Sequence, residues 1–207
     1  MPDTKNKGLS RIQRQRRAEI LEAALENFSQ NGYRGASINE IAKTADMSTP
    51  RLLYHFSDKQ DLYTELLKAT LRLWMEPLSR LQDADDPVEE ICDYVRRKLV
   101  ISQDHPRESR LFAGAVLQGV QRAGSEVFHP LRQIFDEKIL LLEKWMQDGL
   151  IPQQDAHHLM YSIWATTQHY ADFEVQISQL SPQKLPTLYA DAENFLVPMY
   201  RKLLTVP

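Results

Sequence analysis

The sequence predicts an all-α protein of about nine helices. Apolar residues recur at helical spacing in one segment after another, and capping signatures stand at the starts of several of them. No stretch alternates apolar and polar residues as a half-buried strand would, and there is no internal repeat or low-complexity segment.

The first helix is expected from Ser10 to Asn31, with Ile12, Ile20, Leu21, Ala24, Leu25 and Phe28 on one stripe and Gly32 as its stop; Tyr33-Arg34-Gly35 reads as a loop. Ser37-x-x-Glu40 is a capping box, in which the serine oxygen accepts from the Glu40 amide and Glu40 reaches back. Ile38, Ile41, Ala42 and Ala45 then share a face. Asp46 stands at the turn, where aspartate tolerates left-handed backbone better than most residues. Ser48 is the next N-cap, and Pro50 falls in the first turn, where its missing amide costs nothing. Two short helices joined by a tight turn form a helix-turn-helix, the device that lays a recognition helix in the DNA major groove.

Ser57-x-x-Gln60 reads as another capping box, opening a long helix over 57–82 through Leu62, Leu66, Leu67, Leu71, Trp74 and Leu78. Asp86-Pro87-x-Glu89 starts a helix that runs to about Gln103. His105-Pro106 opens a helix through Leu111, Phe112, Val116 and Val120. A helix from Gly124 to Gly149 carries Phe128, Leu131, Ile134, Phe135, Ile139, Leu142 and Trp145, with His129-Pro130 as a helix start. Gln154 to about Ser178 is the next. Ser181-Pro182 precedes the last, through Tyr189, Phe195, Leu196 and Leu203.

Ser37, Ile41, Ala42, Ala45, Ser48, Leu52, Tyr54, His55, Phe56, Lys59 and Leu62 together match S/T-x-x-x-I-A-x-x-A-G-V-S-x-x-x-L-Y-x-H-F-x-x-K-x-x-L, and the chain resembles the TetR family of bacterial repressors. Asp46 departs from the usual glycine and Leu53 from the usual tyrosine, so the backbone contact of that hydroxyl is not carried over. The resemblance implies a flexible basic N-terminus at 1–9 and an N-terminal three-helix helix-turn-helix DNA-binding domain at 10–60. A C-terminal helical ligand-binding and dimerisation domain would span 61–207, the two sharing the long helix. It also implies a homodimer through the last two helices. A ligand that tilts the shared helix would shift the head, and two heads must lie about 34 Å apart to reach successive major grooves.

Composition suits a cytoplasmic regulator. Hydrophobic residues make up 43% of the 207, enough for a core, and charged residues 26%, ordinary for a soluble chain. The single cysteine, Cys92, excludes an internal disulfide and reads as a buried structural thiol. No apolar run reaches the ~20 residues of a membrane span, and no apolar signal core is seen at the N-terminus.

A net charge of −3 fits a DNA binder once it is divided along the chain. Lys5, Lys7, Arg11, Arg14, Arg16 and Arg17 stand against Asp3 and Glu19 in the first twenty residues. Lys and Arg neutralise phosphate and make binding salt-dependent. Residues 1–8 read as a solvated leader; Arg11 to Arg17 read either as DNA contacts or as a solvated face.

Ser48, Thr49, Pro50 and Arg51 open the recognition helix, whose first residues meet base edges. Arg51 can grip guanine bidentately or hold a phosphate. The resemblance makes Tyr54, His55 and Lys59 phosphate-clamping residues, and Ser37 and Asn39 at a helix start should also meet phosphate.

Met160 to Ile177 is a helix expected to be apolar that carries Thr166, Thr167, Gln168, His169 and Asp172 among Tyr161, Trp164, Tyr170 and Phe173. Trp164 and Gln168 share a face, and an amide beside an indole matches a flat heterocycle through paired hydrogen bonds and stacking. Trp74, Phe112 and Thr167 are further candidate walls. His169 and Asp172 read either as pocket groups or as groups paired across a dimer interface. Within the family, Ile163 to Phe173, with the Trp74 helix and Ser109 to Phe112, resembles the pyrimidine-utilisation regulators, which respond to uracil and thymine. That implies a pyrimidine or a pyrimidine-degradation intermediate as effector and uses Trp74, Trp164 and Gln168 as pocket residues.

Other constellations are weak. His157 and His158 point about 100° apart on a helix and share a metal poorly. No Cys/His cluster has zinc spacing. Neither a phosphate loop nor a catalytic triad is placed, so no enzyme, cofactor or metal is expected. The alternative to a ligand-released repressor is a DNA-binding factor of the same fold that is ligand-independent or partner-regulated; the polar patch of Met160 to Ile177 favours the former.

Overall fold

A computed structural model describes residues 10–118 and 125–206. Lys5 and Lys7 of the basic leader at 1–9, and Val120 and Gly124 of the expected central helices, lie outside the described residues. Among the described residues there are ten α-helices and no strand: α1 Arg11–Gly35, α2 Ile38–Thr44, α3 Thr49–His55, α4 Lys59–Ser79, α5 Pro87–Asp104, α6 Pro106–Leu117, α7 His129–Gln147, α8 Ala156–Asp172, α9 Glu174–Leu180 and α10 Leu188–Leu204. Short 3-10 turns at Ser125–Phe128 and Pro182–Thr187 lead into α7 and α10.

The chain divides into two compact units. The first comprises 1–69 with 111–127, the second 70–110 with 128–207. Both α4 and α6 pass from one to the other. The first unit is built around Ile20, Ala24 and Phe28 of α1, Ile41 of α2, Leu52 of α3 and its C-cap Phe56, Leu62 and Leu67 of α4, and Leu111 of α6, all buried. The second is built around Tyr94, Val95 and Leu99 of α5, Ile139, Leu142 and Trp145 of α7, Leu159 and Ile163 of α8, and Leu196 and Tyr200 of α10. Within it α5 packs on α8 and α10, and α7 on α8. The thiol of Cys92 is buried between α5 and α10, 3.8 Å from the Val197 carbonyl, where desolvation pushes its pKa up.

Local chemistry explains most helix starts. Ser10 and Gln13 form a capping box before α1, Ser37 and Glu40 one before α2, and Asp86 accepts from the Glu89 amide before α5. Asp46 takes a left-handed backbone, φ +50°. The Met47 amide then reaches the Ala42 carbonyl at 3.0 Å and the Asp46 amide the Lys43 carbonyl at 3.1 Å. This is the Schellman closure, with Asp46 in the place glycine usually fills.

Three expectations are corrected, and a fourth holds in part. The α1 backbone does leave the helix at Gly32, φ +65°, but one further turn carries it to Gly35, so 33–35 is not a loop. Ser48 does occupy the N-cap of α3, but without a side-chain cap bond. The cap of α4 falls one residue later than Ser57: Asp58 accepts from the Asp61 amide at 2.8 Å, and Asp61 accepts from the Ser57 amide at 3.1 Å. Gln60, freed from capping, accepts from the Tyr33 hydroxyl at 3.0 Å. Finally, the helix expected over 154–178 breaks at Phe173, φ −116° and ψ 24°, which separates α9 from α8.

Candidate functional site

The reading head is α2, the Asp46 turn and α3. Leu52 and Phe56 fix α3 to the core of the first unit, which turns Ser48, Pro50, Arg51, Leu53 and Tyr54 outward. Tyr54 is 76% exposed. Thr49 donates from its hydroxyl to Asn39 Oδ1 at 2.9 Å, tying the start of α3 to the first turn of α2. Asn39 thus keeps its amide NH2 for a partner outside. Ser37 spends its hydroxyl on the capping box, donating to Glu40 at 2.9 Å and accepting from its amide at 3.2 Å.

Two basic residues hold this head together. Lys59 donates from Nζ to the Ala36 carbonyl at 2.6 Å and lies 4.5 Å from the Tyr33 ring centroid, fixing the residue before the α2 cap. Arg17 donates to the His55 carbonyl at the end of α3, lies 4.1 Å over the Phe56 ring and faces Glu65 at 4.0 Å. Arg11 and Arg14 are exposed, and Arg16 is paired to Glu19 at 2.6 Å. The four arginines read together in the sequence therefore have different roles, with Arg17 internal to the head. Desolvation, then the charges of Arg17, Arg51 and Arg16, push the His55 imidazole below its ordinary pKa, so it is neutral at neutral pH.

The second candidate site falls in the second unit, where α5 packs on α8. Trp164 donates from Nε1 to the Tyr94 hydroxyl at 2.7 Å, and its ring leans on Phe135 at 5.3 Å. Burial holds the Tyr94 phenol well above its ordinary pKa. Gln168 follows one helical turn after Trp164 and is half-buried. Thr167 is fully buried, but its hydroxyl donates to the Ile163 carbonyl of its own helix at 2.7 Å. Trp74 of α4 is buried, with Lys98 Nζ 5.2 Å from its ring centroid. Phe112 falls in the first unit.

His169 and Asp172, read together in the sequence, part company. His169 is exposed and stacks on Phe173 at 4.9 Å. Asp172 turns inward and accepts from the Ser109 hydroxyl, which is fully buried. Burial raises the Asp172 pKa, and the Ser109 bond and the Lys98 charge oppose that shift. Lys98 is only 2% exposed; desolvation pushes its ammonium down to about 7, against the pull of Asp172. Thr70 and Ser102 are buried too, and their hydroxyls have no hydrogen-bond partner among the described residues.

The sequence reading missed Lys98, Ser102, Ser109, Thr70 and Tyr94. One signal was there. Lys98 and Ser102 continue the buried face of α5 set by Ile91, Tyr94 and Val95, and a lysine on an apolar stripe needs a reason. Among the described residues no three His, Cys, Asp or Glu side chains converge to hold a metal.

Comparison with known proteins places this architecture. Residues 20–66 match the family model "Bacterial regulatory proteins, tetR family", and residues 67–206 match "YcdC-like protein, C-terminal region". The HTH-type transcriptional regulator RutR of Escherichia coli (strain K12) is 38% identical over 172 residues, 83% of this chain and 81% of that one. The ketosteroid transcriptional regulator KstR2 of Mycobacterium tuberculosis shares the fold with a TM-score of 0.73 at 20% identity, covering 93% and 96% of the two chains. AibR, in a crystal structure with isovaleryl coenzyme A and operator DNA, shares it with a TM-score of 0.61 at 23% identity over 75% and 85%. The chain is a transcriptional regulator and not an enzyme: it belongs to the TetR family of bacterial regulatory proteins.

Proposed function

We propose that the protein is a homodimeric, cytoplasmic repressor released from its operator by a free pyrimidine, uracil or thymine, or by a product of its breakdown. Residues 10–60 read DNA and 61–207 bind the effector and dimerise. The exposed residues of α3 meet the major groove, with Arg51 the base-reading candidate and Tyr54, Lys59 and Asn39 on phosphate. Among the described residues no helix is long and apolar enough to cross a membrane.

One observation carries the effector assignment. Trp164, Gln168 and Asp172 recur every four residues along α8, and Tyr94, Lys98 and Ser102 recur every four along α5. The Trp164–Tyr94 hydrogen bond joins the two rows, and the charges of Lys98 and Asp172 bear on each other. The two rows together offer an indole, an amide, an ammonium and hydroxyls, a match to a flat ring bearing carbonyls and N–H groups. The 38% identity to RutR and the resemblance to pyrimidine-utilisation regulators support the same reading.

Dimerisation rests on the outer side of α8 and α10. Tyr161, Phe195, Met199 and Leu203 are exposed there, beside a shallow apolar groove of about 540 Å³ lined by Ser162, Thr166, Met199, Tyr200, Lys202 and Leu203. A second copy would cover both helices. Effector contact with Trp74 acts on α4, the helix that also bears Lys59, and release is a population shift bounded by the effector's differential affinity for the two states.

Thermal melting with a nucleobase panel tests the assignment. A pyrimidine at 100 times its dissociation constant adds about 2.7 kcal/mol to the unfolding free energy. A melting temperature unmoved by every pyrimidine contradicts it.

A further inference from the structure

Lys98 is buried and Asp172, of opposite charge, is half-buried; each charge bears on the other's protonation, and among the described residues the two close no ion pair. Lys98 comes from α5 and lies over Trp74 of α4. Asp172 comes from α8 and has one carboxylate oxygen, Oδ1, engaged by the Ser109 hydroxyl of α6. Its other oxygen is the one left to accept. Around them the buried hydroxyls of Ser102, one turn after Lys98, and Thr70, one turn before Trp74, lack partners. Other helical Ser and Thr hydroxyls bond back to their own helix, as those of Ser162, Thr166 and Thr167 do. A buried polar group without a partner is costly, so this interior is built to be completed from outside.

We propose that Lys98 and Asp172 form a second recognition edge of the effector site, a donor beside an acceptor that reads the N1–H and C2 carbonyl of a pyrimidine-2,4-dione while Gln168 reads N3–H and the C4 carbonyl. The proposal rests on the effector assignment above and narrows it to a chemical class: cyclic ureides with an unsubstituted N1. The Lys98 ammonium donates to O2, and N1–H donates to Asp172 Oδ2. The indole of Trp74, below Lys98, supplies a flat apolar wall. Substitution at N1, as in a nucleoside or nucleotide, removes the proton that Asp172 accepts and places bulk against its half-buried carboxylate. The site thereby separates the free base, the form that degradation consumes, from the nucleosides and nucleotides of synthesis.

Calorimetric titration of the full chain with uracil, 1-methyluracil and 3-methyluracil tests this, repeated on Lys98→Met and Asp172→Asn. In the Asn variant the Ser109 hydroxyl still finds an oxygen, which turns the amide NH2 toward N1–H and sets donor against donor. The wild type is expected to bind 1-methyluracil about 10- to 100-fold more weakly than uracil, the range set by one unpaired buried group. Each variant is expected to lose about tenfold or more for uracil, with little further change for 1-methyluracil. Wild-type protein that binds 1-methyluracil as tightly as uracil overturns the proposal, whatever the variants do. So does loss of affinity for 3-methyluracil alone, which leaves the pocket with Gln168 as its reader. Failure of all three ligands to bind the wild type overturns the effector assignment itself.

Discussion

Arg17 donates its guanidinium to the backbone carbonyl of His55, so the last residue of the recognition helix is held by the first helix of the chain. The same guanidinium stacks on Phe56 and faces Glu65, which is 5% exposed. Arg17→Ala leaves that carboxylate buried with Lys68 as its one remaining ion-pair partner among the described residues and frees the end of α3. The expected loss of stability is about 2–4 kcal/mol. DNA affinity should fall while its dependence on salt concentration keeps its slope, because Arg17 orients the helix and releases no counterion. A reduced slope would place Arg17 on phosphate instead.

Lys59 gives the contrasting case. Its ammonium donates to the Ala36 carbonyl at the start of the reading head. Lys59→Ala is expected to weaken binding to every DNA sequence alike and to lower the slope of log K against log salt by about 0.9. Filter binding across a salt series reads both quantities. An unchanged slope would make Lys59 a structural clamp only.

Asp46 holds the turn of the reading head at φ +50° in place of glycine. Asp46→Gly should stabilise the protein by about 0.5–1 kcal/mol, since glycine meets no steric penalty there. Denaturant melts of the two proteins check this, and a loss of stability would show that the Asp46 side chain contributes more than its backbone costs.

Lys98 links stability to pH. Its folded pKa near 7 lies below the ordinary lysine value of 10.5. Between those values the unfolded chain binds more protons than the native one, so this residue makes unfolding free energy rise with pH. The contribution is up to about 1.4 kcal/mol per pH unit in that window and flat below it, where the buried charge is present in full. Lys98→Met should raise stability at pH 6–7 and remove this part of the slope. Urea melts of both proteins from pH 6 to 9 provide the comparison; parallel curves would mean that Lys98 titrates normally.

The parts of the fold set by short-range chemistry were legible in the sequence. Ser37 with Glu40, Asp86 with Glu89, and Asp46 at the turn each work within five residues, and the structure shows each of them. Two competing carboxylates hid the start of α4, where Asp58 and Asp61 displace Ser57 and Gln60. The break at Phe173 carries no glycine or proline to announce it. The partners of Arg17 and Asp172 lie 38 and 63 residues away, beyond any helical period, so only tertiary packing could separate Arg17 from Arg14 or Asp172 from His169.

Release of operator DNA by uracil, measured by fluorescence anisotropy on the wild type and on Gln168→Ala, tests the central claim most directly. The wild type should leave DNA as uracil is added. The variant should bind DNA with unchanged affinity and stay bound. Equal release of both proteins, or no release of the wild type, would contradict a pyrimidine site between α5 and α8.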